Sequence, residues 1–364
     1  MKRDLYIDFA KGLATLSIIF IHTAFWSGQY YIPTEIRVLS LVFDVPLFYA
    51  LSGITSGNNI EKTLYRLLKL QITYMIFVTF LFFADYFFKV FGLTFFGLED
   101  LKNVYSTFGS KYVPTSISTD PQWQNLGNWY MHSYTNADTF PVVMGSFWYL
   151  KVYFILTVFG VLILKFFPKH VNWFIALCFG LTLIYNLLPQ YYPSGQVGYV
   201  ALYLGIFLLA NRLKGKKIPT KWVFALYGIF VVTLLALYWN SGIELFMKMN
   251  KAKFPPKLLY IFWASFSLIT LFVFYNRLKI TKDSFVTYIG KNAIFFYFAQ
   301  GISSSIIYFF VVPLEEKMQW WVLMILIYII NVILAFILAK FLKKIDEKGW
   351  QLLEFLRKKT ASLH

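Results

Sequence analysis

The chain alternates long apolar runs with short, mostly basic interruptions. A helix that spans the hydrocarbon core of a bilayer needs about 20 apolar residues. Runs near 7–27, 38–57, 71–91, 146–166, 171–189, 196–211, 222–239, 257–276, 287–311 and 320–341 meet that length or approach it. The pattern predicts an all-α polytopic integral membrane protein of about ten transmembrane helices in one bundle over residues 1–345. The sixth and seventh runs are short, which leaves them to be tilted or cut differently. Residues 92–145 read as a long extracytoplasmic loop holding Tyr112, Trp123, Trp129, Tyr130, His132 and Tyr134. Residues 346–364 read as a short basic amphipathic tail on the inner leaflet. No internal repeat is visible, whereas many secondary transporters carry one.

The interruptions set an orientation. Lys2 and Arg3, then Lys62, Arg66 and Lys69, then Lys165 and Lys169 lie on one side. The run from Arg212 to Lys221, the run from Arg277 to Lys282, and the stretch from Lys340 to Lys359 follow on the same side. By the positive-inside rule both termini are cytoplasmic, which requires an even number of crossings. Lys248, Lys251 and Lys253 break the rule, because they fall between segments that should meet outside.

Composition agrees. Of the 364 residues 59% are hydrophobic and 14% charged, with mean hydropathy +0.60. A soluble domain carries about 25% charged residues, so this excess exceeds what one globular core needs. The net charge of +17 would suit nucleic acid, but its confinement to inter-segment clusters argues for membrane loops and against that partner. Cys178 is the single cysteine, so no intrachain disulfide forms. The apolar run after Arg3 continues to about Trp26 without a small-residue cleavage site, so it reads as a first helix rather than a removed signal.

Charged residues inside such segments cost roughly 2.5–3.5 kcal/mol each and are functional candidates by default. The first segment holds Asp8, Lys11 and His22. At 100° per residue all three line one stripe, and His22 sits roughly 16 Å beyond Lys11 along the axis. Histidine suits proton transfer near neutral pH. A snorkelling Lys11 and a His22 bonded to a neighbouring helix would explain the same pattern. The second segment carries Asp44, Pro46, Ser52 and Gly53; the proline should bend it, and Asp44 would sit toward the outer interface. Arg66 and Lys69, three apart, suit phosphate groups or serve only as positive-inside anchors. The fourth segment opens with Trp148, Tyr149 and Lys151. Gln300 and Asn331 read as hydrogen-bonding glue in the last two segments. His132 and His170 have no partners at metal-ligand spacing, so no metal is expected.

Several of these residues fall into motifs. Lys11 and His22, ten residues apart, resemble the opening signature of the membrane acyltransferase-3 family, an Arg or Lys followed by ten residues and a His. The run from Val45 to Gly53 resembles its Phe-Phe-x-x-Ser-Gly element, with Tyr49 for the second Phe. Arg66 and Lys69 resemble its basic Arg-x-x-Arg element. The run from Phe147 to Leu150 resembles its Trp-Phe-Leu element. Ile289 to Tyr297 resembles the late helix that usually ends in Tyr-x-x-His, and Gln300 stands where that histidine would be. The resemblance covers about residues 3–340.

It implies an O-acetyltransferase of the bacterial cell envelope, multi-pass in the inner (cytoplasmic) membrane. The enzyme would move an acetyl or other acyl group from cytoplasmic acetyl-CoA to a hydroxyl of a polysaccharide or lipid-linked glycan outside. Some relatives carry a further hydrolase-like domain, and none is expected here. On this reading His22 is the general base and Lys11 and Asp8 complete the catalytic group. Arg66, Lys69, Lys11 and Ser52 bind the donor, and Asp44, Trp148, Tyr149 and Lys151 bind the acceptor. Trp123, Trp129 and Tyr134 would offer flat faces to sugar rings or fold over the bundle as an aromatic lid. Membrane lipids, acetyl-CoA and the glycan are the expected partners. A glycan or lipid-linked sugar transporter is the competing class, and a succinyl-transfer relative in polysaccharide secretion a third.

Overall fold

The computed structural model describes residues 4–106, 121, 123–132, 140–275 and 277–361. The helices in chain order are α1 (Leu5–Phe25), α2 (Thr34–Ser40), α3 (Pro46–Thr55), α4 (Ile60–Ser106), α5 (Trp123–His132), α6 (Pro141–Ser146), α7 (Trp148–Phe166) and α8 (Val171–Leu187). They continue as α9 (Val197–Leu213), α10 (Thr220–Met247), α11 (Met249–Ala252), α12 (Leu258–Phe274), α13 (Phe285–Lys291), α14 (Ala293–Ile306), α15 (Tyr308–Val311) and α16 (Trp320–Ala361). No strand occurs among the described residues. Six helices among them are long and apolar enough to cross a membrane: α1, α4, α7, α10, the α14–α15 pair and α16. Three 17-residue apolar helices, α8, α9 and α12, add to these. The protein is an all-α polytopic membrane protein.

Three segments differ in detail from the sequence pattern. The second apolar segment is not one bent helix: residues 41–45 separate α2 from α3, and Pro46 opens α3. Proline has no N–H to give a preceding turn and is accepted only in a helix's first turn, so α3 begins there. The stretch 92–145 is helical over much of what is described. Helix α4 runs through residues 92–106 with a break at Gly97 (φ 76°), and α5 and α6 follow. Tyr112 and Tyr134 lie outside the described residues. Residues 346–361 continue α16 without interruption.

The helices fall into two compact units, one of Met1–Ala24, Ile32–Tyr65 and Trp148–Ala293, the other of Phe25–Tyr31, Arg66–Phe147 and Ile294–His364. In the first unit the core is built on α3, α9 and α7. Gly53 lets α3 lie against α9, since a Cβ there would collide with the Phe207 carbonyl. Asn211 on α9 then donates to the carbonyls of Gly53 and Ser56, capping the end of α3. Tyr49, Tyr203 and Phe207 are fully buried between these helices.

In the second unit Phe77 and Phe298 stack at 4.5 Å, and Phe147 packs edge-on to both. A polar ladder crosses the same unit. Ser303 donates to the side-chain oxygen of Asn331, whose amide donates to Ser304, and the Gln300 amide donates to Ser146. Gln300 and Asn331 therefore do the bridging expected of them.

Candidate functional site

Helix α1 carries the first group of candidates. Asp8 is buried, while Lys11 and His22 are half-buried. A close backbone approach holds this stripe. A Cβ on Gly12 would strike the Val286 carbonyl, and one on Gly290 would strike that of Asp8. Helices α1 and α13 thus meet main chain to main chain where Asp8 and Lys11 sit, as small residues allow in membrane packing. The Tyr6 hydroxyl donates to the Leu271 carbonyl at 2.7 Å, tying α1 to α12. Ser17 donates to the Phe43 carbonyl at 2.8 Å, tying it to the α2–α3 break.

That break carries the second group. Asp44 is completely buried within the protein. Its carboxylate accepts from the Lys253 ammonium at 2.7 and 2.9 Å, from the Tyr260 hydroxyl at 2.8 Å and from the Val45 N–H at 2.7 Å. Burial of an ion pair is tolerated only when the remaining polar positions are satisfied in this way. Lys253 is 7% exposed and so is not a solvated loop charge. The turn from Lys253 to Pro256 carries it inward, and its ammonium lies 5.6 Å from the Trp148 ring and 5.3 Å from Phe254. One of the three cations that break the positive-inside pattern is thereby explained.

Trp148 and Tyr149 extend the cluster. Trp148 packs edge-on to Phe254 at 5.0 Å and to Tyr199 at 5.7 Å. Tyr149 lies 4.9 Å from Tyr49, whose hydroxyl donates to the Tyr149 carbonyl, and its own hydroxyl is near Ser52. The fold therefore joins Ser52 and Tyr149, which the motifs assign to donor and acceptor separately. It also joins Asp44 to Trp148 through Lys253. Lys151, on the next turn of α7, is exposed.

Arg66 and Lys69 belong to the second unit and are exposed on the first turns of α4. The Lys69 ammonium lies 5.4 Å from the Trp350 ring on α16, and Ile76 packs on Gly349. Trp129 is buried, with its carbonyl accepting from the Tyr74 hydroxyl, and so offers no free face for stacking. Trp123 is 58% exposed and leans on Phe82 and Phe83.

The family described as an acyltransferase domain matches residues 4–340, which takes in every helix from α1 to α15 and the first half of α16. The chain belongs to the acyltransferase-3 family. It is a membrane acyltransferase with a multi-pass body. A search of curated proteins and one of solved structures returned no match. Within this acyltransferase, sequence reasoning missed Lys253, Tyr203 and Tyr260. Lys253 left a signal, a cation on the wrong side of the membrane directly before Phe254-Pro255-Pro256. The two tyrosines left none, since tyrosine is common throughout the chain.

Proposed function

We propose that this acyltransferase moves an acetyl group from cytoplasmic acetyl-CoA to a hydroxyl of a cell-envelope glycan on the outer side of the inner membrane, with His22 as general base. The stripe of Asp8, Lys11 and His22 on α1, in a chain of this family, is the observation that carries the reading. Acetyl-CoA supplies an activated thioester, so no nucleotide hydrolysis is needed. Arg66 and Lys69 fit its phosphates, being exposed cations three residues apart on one helix face. Asp8 holds the Lys11 side chain, three residues on.

His22 takes the proton of the acceptor hydroxyl as its oxygen bonds to the thioester carbonyl carbon. The carbon–sulfur bond breaks, and His22 returns the proton to the departing sulfur. An O-acetyl ester, the CoA thiol and neutral His22 result. Trp148 and Tyr149 line the acceptor side, and Asp44 acts through Lys253 to hold Trp148 rather than touching the sugar.

The test is transfer from labelled acetyl-CoA in proteoliposomes, comparing wild type with His22→Ala at matched protein levels. General-base catalysis is worth about 10²–10⁴-fold, and a loss of that size is expected. Transfer at full rate by the variant would remove His22 from the chemistry.

The polar ladder of Ser303, Asn331 and Gln300 favours a second reading, a glycan transporter, since intramembrane polar groups often mark a substrate path. Glycan movement without donor, and with no label transferred, would establish that reading instead.

A further inference from the structure

The first unit has a groove unrelated to the candidates above. It lies between α2, α10 and α12, has a volume of about 450 Å³ and is lined almost wholly by apolar atoms. Leu39, Val231, Leu235, Tyr238 and Ile243 form its walls and are 43–60% exposed, while Trp263 closes its floor. Trp263 is held there by its indole N–H, which donates to the Val38 carbonyl at 3.1 Å. Little of α10 is buried inside the protein, so in a bilayer the groove opens onto lipid tails. A concave apolar slot on such a surface holds one hydrocarbon chain along its length, where a flat helix face offers only passing contact.

Met247 is the last residue of α10 and also the last of that helix to line the groove. Lys248 follows directly, with Lys251 on α11 and Lys257 as the residue before α12. All three are exposed. Lys253, between them, is neutralised by Asp44. Glu35, on the groove wall, and Glu244, exposed near the end of α10, are outnumbered by the three free lysines. An apolar slot capped by cations is complementary to one class of molecule, an amphiphile with a hydrocarbon tail and an anionic head. The same pairing accounts for the two cations left over from the positive-inside pattern, Lys248 and Lys251, because a positive cluster at this end is expected if it faces a bound phosphate.

We infer that the groove and the lysines at its end form a site for an anionic phospholipid of the surrounding bilayer, with one acyl chain between α2 and α10 and the phosphate at Lys248, Lys251 and Lys257. The site stands apart from the acyl-transfer reading and does not depend on it.

Native mass spectrometry of the full chain, released from detergent after incubation with phosphatidylglycerol or phosphatidylcholine of the same acyl chains, tests this. Wild type is expected to retain phosphatidylglycerol in preference. Each lysine near an anionic headgroup is worth roughly fivefold, so the triple variant K248Q/K251Q/K257Q should bind it on the order of a hundredfold more weakly. Val231→Trp, which fills the slot and leaves the lysines in place, should also lose the lipid. If that variant melts earlier than wild type without lipid, the glutamine variant alone decides. Equal retention of both phospholipids by wild type, or undiminished phosphatidylglycerol binding by the glutamine variant, would overturn the site. Displacement of phosphatidylglycerol by an equal concentration of a polyprenyl phosphate would overturn its assignment to a bilayer phospholipid.

Discussion

At the scale of single residues, the Asp44 carboxylate shows how a charge is made tolerable in an apolar surround. Four donor contacts from Lys253, Tyr260 and Val45 saturate it. Removing one member should therefore cost more than removing two. Lys253→Met leaves an uncompensated buried carboxylate and should destabilise the protein by about 3–5 kcal/mol. The double variant D44N/K253M should recover most of that loss, read as melting temperature in detergent. Equal destabilisation by the single and double variants would show that the pair contributes no mutual stabilisation. This partnership was hidden in the sequence because its members are 209 residues apart and no local pattern links them. The Asp8, Lys11 and His22 stripe was legible because all three residues sit on one helix, where the 3.6-residue period alone puts them on one face.

Elements make the positions of those residues durable. The contact of α1 with α13 depends on having no side chain at Gly12 or Gly290. Gly12→Val should force the helices apart, at a cost of about 1–3 kcal/mol typical of overpacking, and should lower transfer even though it removes no reactive group. A variant with wild-type melting and wild-type transfer would show that this approach is not required. Hydrophobic runs gave the location of nearly every spanning helix, since length and apolarity are what the bilayer selects. They failed where helices carry on beyond the apolar run. Residues 98–103 contain Glu99, Asp100 and Lys102 and look like loop, yet α4 continues through them, with Lys102 donating to Glu99 one turn away. Composition identifies the part of a helix that lies in lipid and says little about where that helix stops.

Over the whole molecule, the charge pattern makes a claim about sidedness that a labelling experiment can check. With Cys178→Ser as background, the only native thiol is gone. A cysteine placed at Lys248 should react with a membrane-impermeant maleimide added to intact cells, whereas one at Lys2 should react only after permeabilisation. The reverse result would invert the topology and with it the direction of acyl transfer. The long-range pair of Asp44 and Lys253 also bears on how the chain is made. Ribosomes add about 5–20 residues per second, so Asp44 emerges roughly 10–40 s before its counter-ion. During that interval the short α2 and α3, with their carboxylate, lack the ion pair that makes them acceptable to the bilayer interior. The insertion machinery must shelter residues 34–55 until the α11–α12 turn arrives. Nascent chains ending before residue 253 should therefore keep this segment open to protease, while chains extended past Tyr260 should protect it.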